Sequence, residues 1–230
     1  MTDILQGAPP PADAAPPAEL LPPLLRGWLH LVCFVVSVPA GALIIASAGT
    51  ARGRVAGAVY AIGMTAMFGV SALYHRRRWS PAARRRMRRT DHGTIFLMIA
   101  GSYTPLCLLA LRGTAGTVFL TAVWIGAGMG FFLALTGIAE KDVIGLLCYI
   151  GLGWAMVLAL PELSRHLSGV QIGLLFAGGI IYTLGGVVLG TKWPNPFPAY
   201  FGYHEIWHGM VALACVCHYV TILTVVRGLG

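Results

Sequence analysis

Seven apolar runs, each close to 20 residues long, constrain this chain more than any other feature of its sequence. A helix rises 1.5 Å per residue, so about 20 residues cross the ~30 Å hydrocarbon core of a bilayer. Only 10% of the residues are charged, against roughly 25% in an average globular protein. The pattern predicts an all-α integral membrane protein, a bundle of seven transmembrane helices. The predicted spans are Trp28–Ala48, Val55–His75, Asp91–Leu111, Thr114–Thr136, Val143–Leu160, Val170–Gly190 and Tyr203–Val226.

The segment before the first apolar run has a different composition. Seven of the fourteen prolines lie in residues 1–23, and such a segment forms neither a core nor a helix. It carries acids and no basic residue before Arg26, which argues against the start of a signal peptide. We therefore expect a disordered, proline-rich cytoplasmic tail over residues 1–25 and a seven-helix transmembrane domain over residues 26–230.

Eight arginines lie between Arg76 and Arg89. Such a block could bind nucleic acid, but in a membrane protein it is typical of a cytoplasmic loop. We therefore expect no nucleic-acid partner, and anionic lipid headgroups facing an Arg76–Arg89 loop. The side that holds this loop and the N-terminus carries eleven Lys and Arg, against five on the other side. The positive-inside rule then predicts a cytoplasmic N-terminus and an outside C-terminus in the cell membrane, here the bacterial inner membrane.

The sequence HEIWH, from His204 to His208, opens the last apolar run. Two histidines four residues apart lie on one face of a helix, so both can point at one metal ion. They could also be ordinary interfacial aromatic residues. The same letters match H-E-x-x-H, in which the glutamate is the general base of a metalloprotease. Glu205 is therefore either a base or a residue that faces lipid headgroups, and we favour the second.

Further residues with metal or acid–base chemistry are predicted at the same membrane face. His75 ends the second run and Asp91 opens the third. Three histidines with an open position are typical of a catalytic zinc site. Asp91 could cap the third helix or orient a water molecule as general base. Ser71, one turn before His75, could bond a ligand or water, or its own backbone.

The other histidines are predicted to lie outside this cluster. His218 follows His208 by ten residues, or about 15 Å along a helix, which is too far to share one metal ion. His30, His92 and His166 are expected to be interfacial or structural.

Three motifs resemble those of the hemolysin III family, within the progestin and adipoQ receptor superfamily. They are SALYH (71–75), DHGTIFLMIAGSYTP (91–105) and HEIWH (204–208), on helices two, three and seven. The resemblance covers roughly residues 25–227 and implies a seven-helix bundle with a zinc ion near its cytoplasmic side. It implies that His75, His204 and His208 are the zinc ligands. It also implies that Asp91 holds the zinc-bound water and that Ser71 is the motif serine beside it.

The resemblance also carries functional expectations. Eukaryotic relatives are associated with hydrolysis of lipid amides such as ceramide, bacterial relatives with membrane lipid balance, and the family name with haemolytic activity. We therefore expect a zinc-dependent, ceramidase-like hydrolase of lipid amides or esters, which admits an acyl chain of a membrane lipid into the bundle. Two alternatives stay open: a non-enzymatic lipid sensor or receptor-like regulator, and a pore-forming haemolysin. The pore has less support, because the polar residues cluster at one end instead of lining a continuous path.

Overall fold

The computed structural model describes residues 23–111, 113–138 and 142–230. Most of the predicted tail (residues 1–25) lies outside the described residues. The described part contains seven helices long and apolar enough to cross a membrane, which confirms the predicted seven-helix membrane protein; the orientation of its termini stays a prediction. The helices are α1 (Trp28–Ala46), α2 (Ala51–Arg76), α3 (Pro81–Pro105), α4 (Gly113–Thr136), α5 (Asp142–Trp154), α6 (Gly169–Thr191) and α7 (Tyr203–Leu229).

Two of these helices continue in a different helical form. A π-helical turn over Leu106–Ala110 extends α3. A 3-10 turn over Ala155–Ala159 and a short α-helical turn over Leu160–Leu163 extend α5. With these extensions both elements are long enough to span a bilayer.

Side-chain caps define where several helices begin. The hydroxyl of Thr50 accepts a hydrogen bond from the Gly53 amide at 3.0 Å, so α2 begins four residues before the predicted Val55. Ser168 and Gln171 form a reciprocal capping box at the start of α6. Each cap satisfies backbone N–H groups that have no partner inside the helix.

The prediction of a loop over Arg76–Arg89 is wrong for most of these residues, because α3 begins at Pro81. The Ser80 hydroxyl caps the helix by accepting from the Ala83 amide, and arginine is a good helix former. Asp91 therefore lies inside α3, nearly three turns from its start, and the possible role of Asp91 as a helix cap is also wrong. The apolar run marked only the part of the helix suited to hydrocarbon, whereas the helix itself extends beyond it.

The core lies between α2, α3 and α7. Tyr60, Phe96 and Ile222, one from each of these helices, are fully buried. Large apolar side chains instead point outward from the peripheral helices, among them Val35 on α1 and Phe132 on α4. Exposed apolar surface of this extent is typical of contact with a membrane.

The ends of α1, α2, α3 and α7 meet at one end of the bundle, which we call the histidine end. The amides of Leu24 and Leu25 donate to the carbonyls of Ala199 and Tyr200 at 3.0 and 3.2 Å. These bonds connect the segment before α1 to the connection between α6 and α7. The beginning of α1 is thereby held beside the beginning of α7.

Candidate metal centre

Three histidines converge at the histidine end. His75 lies in the last turn of α2, while His204 and His208 lie in the first two turns of α7. One ring nitrogen from each lies within 4.8 Å of the others, and such a group could hold a metal ion. The Nε2 atoms of His75 and His204 are 3.3 Å apart. The structure thus brings together the three residues that the sequence predicted as metal ligands.

Asp91 and Ser71 lie beside this cluster. The Oδ2 atom of Asp91 is 3.8 Å from Nε2 of His75. The Ser71 side chain is buried, lines the same polar cavity as Asp91 and lies close enough to interact with its carboxylate. Because α3 begins ten residues before the predicted apolar run, Asp91 lies inside the helix and not at its end. Its side chain faces the interior of the bundle.

Glu205 does not face lipid headgroups, and that expectation is wrong. The residue is 4% exposed. One carboxylate oxygen forms an ion pair with the Arg26 guanidinium, and the other accepts a hydrogen bond from the Gly202 amide at 2.8 Å. These contacts link the beginnings of α1 and α7. They also occupy both carboxylate oxygens, so neither is left to accept a proton as a general base.

His30 is a member of the site that sequence reasoning missed. Its ring is buried and stacks on the His208 ring, with centroids 3.9 Å apart and planes inclined by 14°. Its other neighbour is the ring of Phe68, in an edge-on contact at 5.1 Å. Neither ring nitrogen of His30 has a hydrogen-bond partner among the described residues. Of the two expectations for His30, an interfacial or a structural residue, the buried and stacked ring agrees with the structural one.

A glycine allows α1 to approach the cluster closely. Gly27 has a φ of +78°, in the left-handed region that favours glycine. A Cβ atom at this position would lie 2.6 Å from Cβ of His75. The first turn of α1 therefore packs directly against the last turn of α2, three residues before His30.

The remaining histidines lie outside the cluster. Nε2 of His218 is 3.4 Å from the Leu175 carbonyl oxygen, and His218 is not one of the three clustered histidines. His166 contacts the Glu162 carbonyl oxygen through Nδ1 at 3.3 Å. The His92 carbonyl accepts a hydrogen bond from the Tyr149 hydroxyl at 3.2 Å.

Two cavities adjoin at the site. The polar cavity, about 940 Å³, contains the three histidines, Asp91 and Ser71 in its lining. The apolar cavity, about 130 Å³, lies among α3, α5, α6 and α7. Five residues line both cavities: Met67, Ile95, Tyr149, Tyr182 and Val211. The histidine cluster therefore lies next to a compartment with apolar walls.

The fold and the site define a multi-pass membrane protein with a candidate metal centre of three histidines at one end of a seven-helix bundle. The sequence model for haemolysin-III related proteins matches residues 19–219, and the chain belongs to this family. Both the predicted family and the relation to progestin and adipoQ receptor proteins are confirmed.

Relatives in bacteria and animals cover most of the chain. It is 33% identical to Hemolysin-3 of Bacillus cereus over 201 residues, which are 83% of this chain and 88% of that protein. It is 31% identical to the Hemolysin-3 homolog of Bacillus subtilis (strain 168) over 185 residues, 79% and 84% of the two chains. It is 26% identical to the Monocyte to macrophage differentiation factor of Homo sapiens over 199 residues, 85% and 80% of the two chains.

Proposed function

We propose that this protein is a zinc-dependent membrane hydrolase that cleaves an amide or ester bond of a lipid and contributes to membrane lipid homeostasis. One observation carries the proposal. A group of three buried or half-buried imidazoles lies beside the Asp91 carboxylate, where a polar cavity meets an apolar one. Structural zinc sites are usually closed by four protein ligands, whereas catalytic sites use three and keep one position for water or substrate.

The donor set fits zinc. Imidazole nitrogens are favoured zinc ligands, and three of them are the ligand set of many catalytic zinc sites. The Nε2 atoms of His75 and His204 are 3.3 Å apart, and one ring nitrogen of each of the three histidines lies within 4.8 Å of the others. A zinc ion held by these two residues and His208 would supply a Lewis acid that polarises a carbonyl group and makes water more acidic.

Asp91 is the general base in this proposal. Its carboxylate accepts a proton from the water molecule that adds to the substrate carbonyl carbon, and it returns that proton to the leaving amine or alcohol. The carbon–nitrogen or carbon–oxygen bond breaks, and a fatty acid leaves with the amine or alcohol. Ser71 orients the carboxylate through its hydroxyl group.

The apolar cavity binds the acyl chain of the substrate. Its lining includes Met98, Ile99 and Phe176, from α3 and α6, and burial of each CH₂ group in such surroundings is worth about 0.8 kcal/mol. The scissile carbonyl then lies near the boundary with the polar cavity, and the headgroup occupies the polar side. We further propose that the histidine end faces the cytoplasm from the bacterial inner membrane, because Arg26, Lys192 and the arginines of α3 all lie there.

Metal analysis and turnover of defined lipids test this proposal together. We expect about one zinc ion per chain in protein reconstituted in nanodiscs, measured by elemental mass spectrometry. Lipid amides and esters of graded chain length should release fatty acid, detected by liquid chromatography and mass spectrometry. Removal of zinc with a chelator should stop the release, and added zinc should restore it. Stoichiometric zinc without turnover of any amide or ester would rule out the hydrolase and favour a zinc-stabilised lipid sensor.

A further inference from the structure

We propose that the lipid bound at the metal centre carries an anionic group, a phosphate, on the polar side of its scissile bond. The recognition element is a set of basic residues that line the polar cavity, which we call the cationic rim. This inference rests on the proposed function, because it names the class of lipid that the same site takes. The cationic rim consists of Arg76, Arg77, Arg78, Arg84, Arg88 and Lys192.

Among the described residues that line the polar cavity, basic side chains outnumber acidic ones. Arg26 also lines the cavity, but its charge is compensated by Glu205. Among the described residues that line the cavity, Asp91 is the only acidic one. A bound zinc ion would add two more positive charges. With Arg88 left aside, five basic residues of the rim stand against one carboxylate among the described lining residues, and a cavity with this balance attracts anions.

Two guanidinium groups of the rim lie over aromatic rings and form no ion pair with a described carboxylate. The Arg76 guanidinium lies 4.1 Å from the centre of the Trp28 ring, and that of Arg77 lies 5.2 Å from the Trp79 ring. Stacking of this kind fixes the plane of the guanidinium and leaves its N–H groups available to phosphate oxygens. Arg78, Arg84 and Lys192 form no ion pair with any described residue.

Some basic residues of α3 line the polar cavity, whereas others in the same turns do not. Arg84, Arg88 and Asp91 follow one another at helical spacing on one face, and all three line the polar cavity. Arg85 and Arg86, in the same turn as Arg84, do not line it. Basic residues needed only for membrane orientation would require no such alignment, because the positive-inside rule counts charges without regard to helix face. The alignment therefore indicates binding of an anion within the cavity.

A pair of lipids that differ only in a phosphate tests the inference. Ceramide and ceramide 1-phosphate are presented in nanodiscs of neutral phosphatidylcholine, with wild-type protein, Arg84→Gln and Arg78→Gln. The wild type should bind and cleave the phosphorylated lipid more efficiently. Each substitution should raise KM for the phosphorylated lipid by about three- to tenfold, as expected for loss of one charge-assisted contact, and leave KM for ceramide unchanged. Arg85→Gln is the matched control, with one charge removed from the same turn outside the cavity.

Each other outcome has a defined meaning. Equal efficiency with both lipids and no effect of Arg84→Gln would overturn the inference and leave the hydrolase intact. If Arg85→Gln and Arg84→Gln had equal effects, general attraction of the lipid to the basic protein surface would explain both. The cavity would then be excluded as the binding site of the phosphate. Tight binding of inorganic phosphate without preference for the phosphorylated lipid would identify a free anion as the ligand and overturn the lipid assignment. If neither lipid is cleaved, equilibrium binding of the two lipids to the same variants still decides the inference, while the proposed hydrolase fails.

Discussion

The polar and the apolar cavity are neighbours in one bundle, yet their walls have opposite chemistry. The polar cavity gathers the histidine cluster, Asp91 and the cationic rim. Aliphatic and aromatic side chains dominate the wall of the apolar cavity. His218, the one histidine among its described lining residues, faces the Leu175 carbonyl. Helices α2, α3, α5, α6 and α7 contribute to both cavities, and α1 contributes to the polar one. The difference in chemistry therefore arises mainly from position along each shared helix and not from separate domains.

Helix α7 demonstrates this division most clearly. His204 and His208 line the polar cavity, Val211 lies at the boundary, and Ala214 and Ile222 line the apolar cavity. Ionisable groups inside a bilayer are costly, so they are confined to the end that water and headgroups can reach. The contrast between the two cavities favours a ligand that has a polar part and an apolar part. Its reactive bond would then lie where the two cavities meet. The following predictions test that contrast, from the largest expected effect to the smallest.

His208→Ala should remove both metal and activity. Loss of one of three ligands leaves two imidazoles, too few for a stable zinc site of this type. We expect zinc content to fall from about one per chain to near zero and lipid hydrolysis to become undetectable. His218→Ala is the matched control on the same helix, and its zinc content should equal that of the wild type. Full zinc content in His208→Ala would exclude this residue as a ligand.

Asp91→Asn should abolish most of the activity and retain the metal. An amide cannot accept the proton, and removal of a general base costs about 10²- to 10⁴-fold in rate. Because Asp91 is not one of the three nitrogen donors, zinc content should stay close to that of the wild type. Steady-state kinetics and elemental analysis of the same preparation measure both quantities. Wild-type turnover in Asp91→Asn would assign the acid–base step to another group.

Ser71→Ala should reduce the activity less than Asp91→Asn does. Loss of the hydroxyl removes a polar neighbour of the carboxylate and keeps the base itself. We expect a smaller decrease in kcat, about tenfold, with zinc content unchanged. A decrease as large as that of Asp91→Asn would give Ser71 a direct part in the reaction.

The sequence predicted the features of this site that depend on local spacing. Runs of about 20 apolar residues predicted seven helices, and the spacing of His204 and His208 predicted a shared helix face. The predicted topology added His75 and Asp91 at the same membrane face, helical spacing placed Ser71 beside His75, and the match to known motifs supplied their expected roles. The extension of α3 to Pro81 was not predicted, because the length of an apolar run measures the hydrocarbon crossing and not the helix.

The contacts that the sequence did not predict join residues far apart in the chain. Arg26 and Glu205 are separated by 179 positions, and no local pattern links them. The stack of His30 on His208 depends on the left-handed Gly27, which lets α1 approach α2. A single sequence contains no signal for either contact, since both follow from how three helices pack at the histidine end.

His30→Ala should weaken metal binding without removing it. The stacked His30 ring holds the orientation of the His208 ring, and loss of a group that positions a metal ligand typically lowers metal affinity about 10- to 100-fold. Competition with a chelating dye measures the affinity, and the visible spectrum of the cobalt-substituted protein reports the ligand geometry.

The aromatic variant His30→Phe separates stacking from hydrogen bonding. Phenylalanine can keep the stack but has no ring nitrogen, so it should restore affinity and spectrum toward wild type. If His30→Gln restored them and His30→Phe did not, the two ring nitrogens would be the important groups. An unchanged affinity in His30→Ala would remove this residue from the site.

Tyr182→Phe should have the smallest effect, and it examines the boundary between the cavities directly. Tyr182 lines both cavities, and its buried hydroxyl has no hydrogen-bond partner among the described residues. A buried unsatisfied hydroxyl costs about 1–3 kcal/mol, which a substrate carbonyl at the boundary would offset by accepting its hydrogen bond. We expect kcat to fall about threefold, with unchanged zinc content and equal or higher thermal stability. Tyr60→Phe is the matched control, because its hydroxyl is also buried without a described partner but lines neither cavity. Equal activity losses in the two variants would mean that the boundary hydroxyl does not contact the substrate.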